Sequence, residues 1–174
     1  MNKQKQSKKP PSNRRLLWWA LLALLVLIFG GLIWSNTTKS SRMEGPQFRK
    51  EGTLQFVGVD GQPIRQIDIE IADTDMERAR GLMWRRTLGS DQGMLFIMDA
   101  PEPQSFWMLN TYLSLDILFV DADSTIVKIR PNTKPRSLDA VTSEMPALYV
   151  VEVNAGFCAQ HGIREGDQIR FTKN

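Results

Sequence analysis

Residues 53–72 read TLQFVGVDGQPIRQIDIEIA, and this stretch decides the fold class. Apolar and polar residues alternate on both sides of Asp60-Gly61, first over 53–59 and then over 64–72. Such alternation is typical of a strand with one buried face, and an Asp-Gly pair between two alternating runs is a strong hairpin signal. The stretch therefore predicts two antiparallel strands joined by a tight turn.

The period of the pattern changes directly after this hairpin. In DTDMERARGLM (73–83), Asp73 or Thr74 can cap a helix, Glu77 follows Thr74 by three residues, and Gly81 provides a stop. A threonine cap with a glutamate three positions later satisfies the free amides of the first helical turn, and glycine favours the backbone that ends a helix. We expect one short capped helix here.

Six further segments have the length and composition of strands: GMLFIM (93–98), QSFWM (104–108), LDILFV (115–120), TIVKIR (125–130), ALYVVEV (147–153) and QIRF (168–171). About eight short strands separated by turn residues favour a closed or folded β architecture over a parallel sheet with crossover helices. We predict a mainly β fold, a compact β-barrel or jelly-roll-like sandwich with one or two short helices, preceded by one transmembrane helix. The longest loop is predicted over 131–146, which holds three prolines.

The N-terminal part has a different character. Residues 16–34 are uncharged, and at 1.5 Å per residue they can cross a hydrocarbon layer of roughly 30 Å. Residues 1–15 carry six basic residues and no acidic one, which keeps such a tail in the cytoplasm. We therefore expect a basic cytoplasmic tail (1–15), a transmembrane anchor (16–34), a flexible tether (35–50) and an exported β-rich domain (51–174).

A cleaved signal peptide is the alternative to a retained anchor. The apolar run is longer than the usual secretory one, and Trp18, Trp19 and Trp34 bracket it where interfacial aromatics belong. These features favour an uncleaved anchor. The predicted location is the bacterial inner membrane, single-pass, with the membrane contacted through residues 16–34 and the domain in the periplasm or outside the cell.

Composition excludes several function classes. Six of the 22 basic residues lie in the tail, which leaves 16 against 19 acidic residues, so no basic surface for nucleic acid is expected. Cys158 is the single cysteine, and with His161 it offers too few ligands for a structural metal, so no metal or cofactor is predicted. No serine nucleophile elbow, phosphate loop or dinucleotide fingerprint is present, which weighs against an enzyme.

Four ordered blocks carry a resemblance to a known family: ERARGLMWR (77–85), GMLFIM (93–98), SFWMLNTYLSLDILFVD (105–121) and VVEVNAG (150–156). In them the chain resembles the prokaryotic family called domain of unknown function 192 over about residues 53–172. The resemblance implies a compact β-rich barrel or jelly-roll-like domain, often exported, with no established activity. Leu109 and Ser114 stand where the family usually has lysine and proline, whereas Asn110, Thr111 and Asp116 match its pattern.

Two carboxylates lie in strands whose faces are both apolar, Asp116 in LDILFV and Glu152 in ALYVVEV. A carboxylate in such a position is costly unless it is paired or hydrogen-bonded. Either they are structural, in ion pairs or bonded to loop amides, or they form a polar site in an apolar pocket. Four nearby arginines are the expected cation supply: Arg78, Arg80, Arg85 and Arg86.

A second candidate is the loop pair Asn110-Thr111 behind Trp107, where an amide, a hydroxyl and an indole can bind a sugar or another polar ligand. A simple turn with its aromatic residues in the core is the other interpretation. The candidate ligand-binding residues are thus Asn110, Thr111, Asp116, Glu152, Trp107, Arg80 and Arg85. The expected function is a membrane-tethered binding or accessory domain for a small polar ligand, a glycan or an envelope protein. The alternatives are a carboxylate-dependent envelope enzyme and a purely structural interaction module.

Overall fold

The computed structural model describes residues 45–174. The predicted tail (1–15), anchor (16–34) and most of the tether (35–50) lie outside the described residues. The described part contains seven strands: β1 (Gly52–Val57), β2 (Pro63–Ala72), β3 (Gln92–Phe106), β4 (Leu115–Val120), β5 (Ile126–Arg130), β6 (Val141–Asn154) and β7 (Gln168–Lys173). It also contains two short helices, α1 (Asp75–Arg80) and α2 (Phe157–His161). None of the helices within residues 45–174 is long and apolar enough to span a membrane.

All seven strands belong to one half-barrel sheet with the order β5-β4-β6-β3-β2-β1-β7. The β2–β3 pair is parallel and every other neighbouring pair is antiparallel. The edges approach each other at one end, where Thr125 and Gln168 form an isolated bridge. The mainly β class with two short helices is confirmed, and the strands of residues 45–174 form a single curved sheet rather than two stacked ones.

The predicted hairpin and the predicted capped helix are both confirmed. β1 pairs with β2 in antiparallel register, with Gly52 opposite Ile69. Thr74 caps α1, since its hydroxyl accepts from the Glu77 amide at 3.3 Å while the Glu77 carboxylate accepts from the Thr74 amide at 3.2 Å. Gly81 ends the helix.

Two apolar layers cover the two faces of the sheet. Along β4, Leu115, Ile117 and Phe119 enter one layer while Leu118 and Val120 enter the other. Both faces of this strand are buried, as its uninterrupted apolar sequence predicts. We call the layer that contains Phe96 and Phe119 the outer layer. The outer layer is where the candidate site lies.

Three predicted boundaries are wrong. The segments predicted as two strands over 93–98 and 104–108 form one long strand, β3, and β6 begins at Val141, so the loop after β5 is shorter than predicted. Pro103 and Pro146 stand opposite each other where β3 pairs with β6, and the register shifts on both sides of Pro103. Proline donates no ladder hydrogen bond, and such bulges let a pair of long strands contain it. The prolines therefore mark an irregularity in the ladder and not a loop.

Candidate functional site

A cavity of about 260 Å³ opens on the outer layer between the end of α1 and the second half of β3. Four of the predicted ligand-binding residues line it: Arg80, Trp107, Thr111 and Glu152. The rest of the lining is mostly apolar and comprises Arg78, Ala79, Gly81, Leu82, Met83, Phe96, Met98, Gln104, Ser105 and Phe106. We call this space the Glu152 cavity.

Glu152 forms the floor of the cavity. It lies on β6, on the same face as Val150, and only 5% of its surface is exposed. Among residues 45–174, no group donates a hydrogen bond to its carboxyl and no cation pairs with it. Burial without compensation raises the pKa of Glu152 to about 8. At neutral pH the group is therefore mostly a neutral acid, which can both donate and accept a hydrogen bond.

Aromatic rings form one wall and part of the rim. Phe96 and Phe106 meet edge to face with their centroids 5.0 Å apart, and Phe106 continues to Phe119 at 6.0 Å. Trp107 stands at the rim with 57% of its surface exposed. Trp107 therefore offers an accessible ring beside a buried hydrogen-bonding group.

The part of the lining that contains Met83 and Thr111 is held by two residues with unusual backbone angles. Trp84 has φ 61° and Asn110 has φ 57°, and the Trp84 amide donates to the Asn110 carbonyl at 2.8 Å. Their chain neighbours Met83 and Thr111 line the cavity. A positive φ is uncommon for a non-glycine residue and unfavourable for a bulky one, and such strain concentrates at functional sites. Asn110 thus contributes backbone to the wall and is not itself among the lining residues.

Asp116 lies on the other face of the sheet, away from the cavity. Its Oδ1 accepts from the amides of Asn132 at 2.9 Å and Gly156 at 3.1 Å, and its Oδ2 accepts from the amide of Cys158 at 3.0 Å. The carboxylate therefore bonds to loop amides, one of the two alternatives that the sequence leaves open. The expectation of an arginine partner is wrong, because backbone amides satisfy this group.

Arg85 is also absent from the Glu152 cavity. It forms a buried ion pair with Glu70, with 6% and 8% of the two side chains exposed, and the Arg49 amide donates to Glu70 Oε1 at 2.8 Å. The pair lines a smaller hollow of about 30 Å³. Alternation predicts that Glu70 faces solvent, so the sequence gives no signal for this pair. Around the pair, the hollow is lined by Glu77, Arg80 and Gly81 from α1 and its end.

Glu70 and Glu152 nevertheless belong to one row of the sheet. Met94 of β3 pairs in register with both, Glu70 on one side and Glu152 on the other. Of the arginines predicted to pair with the buried carboxylates, Arg85 pairs with Glu70, whereas Arg80 lines the cavity without forming an ion pair with Glu152. Arg78 is likewise engaged elsewhere, by the carbonyls of Asp73 and Ile97 and by Asp99.

Within residues 45–174 there is no group of three or more His, Cys, Asp or Glu residues placed to hold a metal ion. Cys158 is buried, and burial beside Asp116 raises the pKa of its thiol. Met94 and Met108 are core residues, whereas Met83 and Met98 line the cavity. The chemistry available in the cavity is therefore that of one neutral acid, a mostly apolar wall, an exposed indole and the exposed guanidinium of Arg80.

Comparisons with known proteins are consistent with this fold. The family DUF192, described as an uncharacterized ACR, matches residues 56–171. A crystal structure from Sinorhizobium meliloti 1021, described as a proposed transcription regulator, is 34% identical with a TM-score of 0.68 and covers 72% of this chain and 98% of that one. A protein of unknown function from Novosphingobium aromaticivorans DSM 12444 is 36% identical with a TM-score of 0.64, covering 68% of this chain and 83% of that one. No curated protein matches the chain.

Proposed function

Because the chain belongs to the DUF192 family, an uncharacterised one, we propose a function from the site itself: a membrane-tethered envelope domain that binds a small, uncharged polar ligand in the Glu152 cavity. A hydroxyl-bearing ring, such as a sugar unit of a glycan, fits this chemistry. The ligand contacts would be a hydrogen bond to Glu152 at the floor and ring stacking on Trp107 at the rim.

The observation that carries this proposal is the unpartnered carboxyl of Glu152. A buried polar group without a hydrogen bond costs roughly 1 to 3 kcal/mol, and within residues 45–174 no hydrogen bond or ion pair is formed with the Glu152 carboxyl. A ligand hydroxyl would satisfy the group in both directions, since a protonated carboxyl donates through one oxygen and accepts at the other. A cationic ligand would instead have to ionise Glu152 against its raised pKa.

The size and lining of the cavity support a small ligand. Ligand pockets are commonly about 300 to 1,000 Å³ with mainly apolar walls and a few placed polar groups, and this cavity of about 260 Å³ lies just below that range. It has room for about one ring. Trp107 supplies a large amphipathic surface for that ring at the entrance.

The tethering part of the proposal comes from the sequence alone. The uncharged run 16–34 follows a basic tail and precedes a polar connecting stretch, the order expected of an anchor, and such an anchor would hold the domain outside the cytoplasm. Beyond the tail, acidic residues outnumber basic ones, which disfavours binding to DNA.

One observation favours a second candidate, the carboxylate-dependent envelope enzyme. A carboxyl whose pKa is raised to about 8 is protonated at neutral pH, the state required of a general acid. The nearest carboxylate in the same row, Glu70, is held by Arg85, so a matching base is not provided by this pair. Binding is therefore the better-supported function.

The test is a binding assay by native mass spectrometry on the full chain in nanodiscs, with a panel of neutral mono- and disaccharides. We expect retained binding in Glu152→Gln, because an amide also donates and accepts, and loss of binding in Glu152→Leu and in Trp107→Ala. Val59→Ala, another exposed apolar residue, is the control and should bind as the unmodified chain does. Equal binding by all variants, or none by the unmodified chain, would contradict the sugar assignment, and conversion of a saccharide to product would favour the enzyme.

A further inference from the structure

Three large aromatic residues lie exposed near the Glu152 cavity: Trp107 lines it, and Trp84 and Tyr112 are chain neighbours of the lining residues Met83 and Thr111. The exposed fractions are 46% for Trp84, 57% for Trp107 and 41% for Tyr112. The backbone amide of Trp84 donates a hydrogen bond to the carbonyl of Asn110, and Asn110 lies between Trp107 and Tyr112 in the sequence. We call these three residues the aromatic face.

Two arginines accompany the aromatic face. The guanidinium of Arg86 lies over the ring of Tyr112, with Cζ 5.0 Å from the centroid. The amide of Arg136 donates to the carbonyl of Thr111 at 3.1 Å, which brings a second exposed arginine next to the same loop. Exposed tryptophan and tyrosine with flanking arginines is the composition that the headgroup region of an anionic bilayer attracts.

The chain enters the described domain at this face. Gly45 packs so closely on Trp84 that a Cβ there would lie 2.1 Å from the Trp84 carbonyl oxygen. Ten residues, 35–44, separate Gly45 from the apolar run 16–34. Even fully extended, ten residues span at most about 35 Å. A bilayer that held residues 16–34 would thus lie within about 35 Å of Gly45, at the edge of the aromatic face.

From these observations we propose that the aromatic face docks on the anionic surface of the bilayer, so that the Glu152 cavity opens at the level of the lipid headgroups. The proposal rests on the tethering part of the proposed function. The occupant of the face is the bilayer itself, because the attachment point, the exposed indoles and the two arginines all lie together. The ligand of the cavity would then be taken from molecules at the membrane surface.

The test uses the full chain in nanodiscs of phosphatidylethanolamine and phosphatidylglycerol. Replacing Trp18, Trp19 and Trp34 by phenylalanine leaves Trp84 and Trp107 as the emitting residues, since the chain has five tryptophans. A spin-labelled lipid with its label near the headgroup should quench this emission, and aqueous iodide should quench it little. Arg86→Glu with Arg136→Glu should restore most of the emission, whereas Arg164→Glu with Arg170→Glu, the matched charge change elsewhere, should not.

Two results would overturn the proposal. Emission that iodide quenches and the lipid label does not would show a face open to water. Emission protected from both would show that protein, such as a second copy, covers the face. Extraction with alkaline carbonate distinguishes a failure of the tether from a failure of the docking. A chain that leaves the membrane refutes the tether. A chain that stays in the membrane and shows either quenching pattern refutes the docking alone.

Discussion

Gly81 lies directly against Glu152 in the lining of the cavity: a Cβ on Gly81 would lie 3.9 Å from Oε2 of Glu152 and 3.1 Å from Cζ of Phe96. Gly81 ends α1 with φ 46° and ψ −134°, a backbone that side chains disfavour. The helix end thus passes closely over the buried carboxyl because its last residue has no side chain. The cavity depends on this glycine both for its backbone angle and for its space.

Gly81→Ala should therefore reduce both stability and ligand binding. A residue with a Cβ held in this sparsely populated backbone region costs about 1 to 3 kcal/mol, and Phe96 must also move. Gly61→Ala is the control, because Gly61 has φ 78° with nothing within 4 Å of its Cβ position. Urea unfolding should show a smaller loss for the control, and saccharide binding should fall only in Gly81→Ala. Equal effects of the two variants would contradict the close approach.

Asp116→Asn should destabilise the domain without touching the cavity. An asparagine amide would turn a donor toward amides that now donate to both carboxylate oxygens, and charged hydrogen bonds are worth roughly 1.5 to 3 kcal/mol each. We expect a loss of about 3 kcal/mol in the free energy of unfolding, measured by urea denaturation. Asp121→Asn, at a partly exposed turn with two similar amide contacts, should lose less. An unchanged free energy of unfolding for Asp116→Asn would contradict a structural role for Asp116.

The buried ion pair predicts a strong asymmetry between single and double variants. Removing one partner leaves a buried charge and commonly costs about 3 to 5 kcal/mol. Arg85→Met should therefore be severely destabilising. The double variant Arg85→Met with Glu70→Gln should recover part of the loss, because it no longer buries an unpaired charge. Arg65→Met, which breaks the exposed pair with Asp91, should change the free energy of unfolding by about 1 kcal/mol or less. Thermal unfolding monitored by circular dichroism would rank the three variants, and a harmless Arg85→Met would contradict the buried pair.

The raised pKa of Glu152 makes stability fall as the pH rises. Unfolded, the group titrates near its ordinary value of 4.5, and folded near about 8, so between these values the folded state holds more protons. Stability from this group is complete below about 4.5 and is lost through about 8, at up to roughly 1.4 kcal/mol per pH unit. Compared with Glu152→Gln, in which the other carboxyls titrate alike, the unmodified chain should lose stability between pH 5 and 8, with that window set by the two pKa values. A constant difference between the two across this range would count against a buried unpaired acid.

Local sequence signals predicted the local structure well. The hairpin over 53–72 and the Thr74-capped helix depend on residues within a few positions of each other, and both are present. The signals failed where the structure depends on contacts between distant segments. No local pattern shows that β3 and β6 continue to pair beyond Ile97, where bulges accommodate the two opposing prolines.

The site was predictable only in part for the same reason. The pattern of an acidic residue in an apolar strand identified both Asp116 and Glu152. The sequence did not show that backbone amides bind Asp116 while Glu152 lines a cavity. The difference comes from the loops around Asn132 and Gly156, which reach one face and not the other. Glu70 gave no signal, because alternation alone assigns it to solvent and only the packing of Arg85 over it reveals its burial.

The most direct test of the central claim is the pKa of Glu152 itself, measured in the full chain with carbon-13-labelled glutamate by following the carboxyl resonance with pH. Glu152→Gln assigns the signal. The account predicts a titration near about 8, far above the ordinary glutamate value, because burial opposes ionisation and no cation or donor among residues 45–174 offsets it. Titration near 4.5 would show an ionised, compensated Glu152 at neutral pH and would contradict the account.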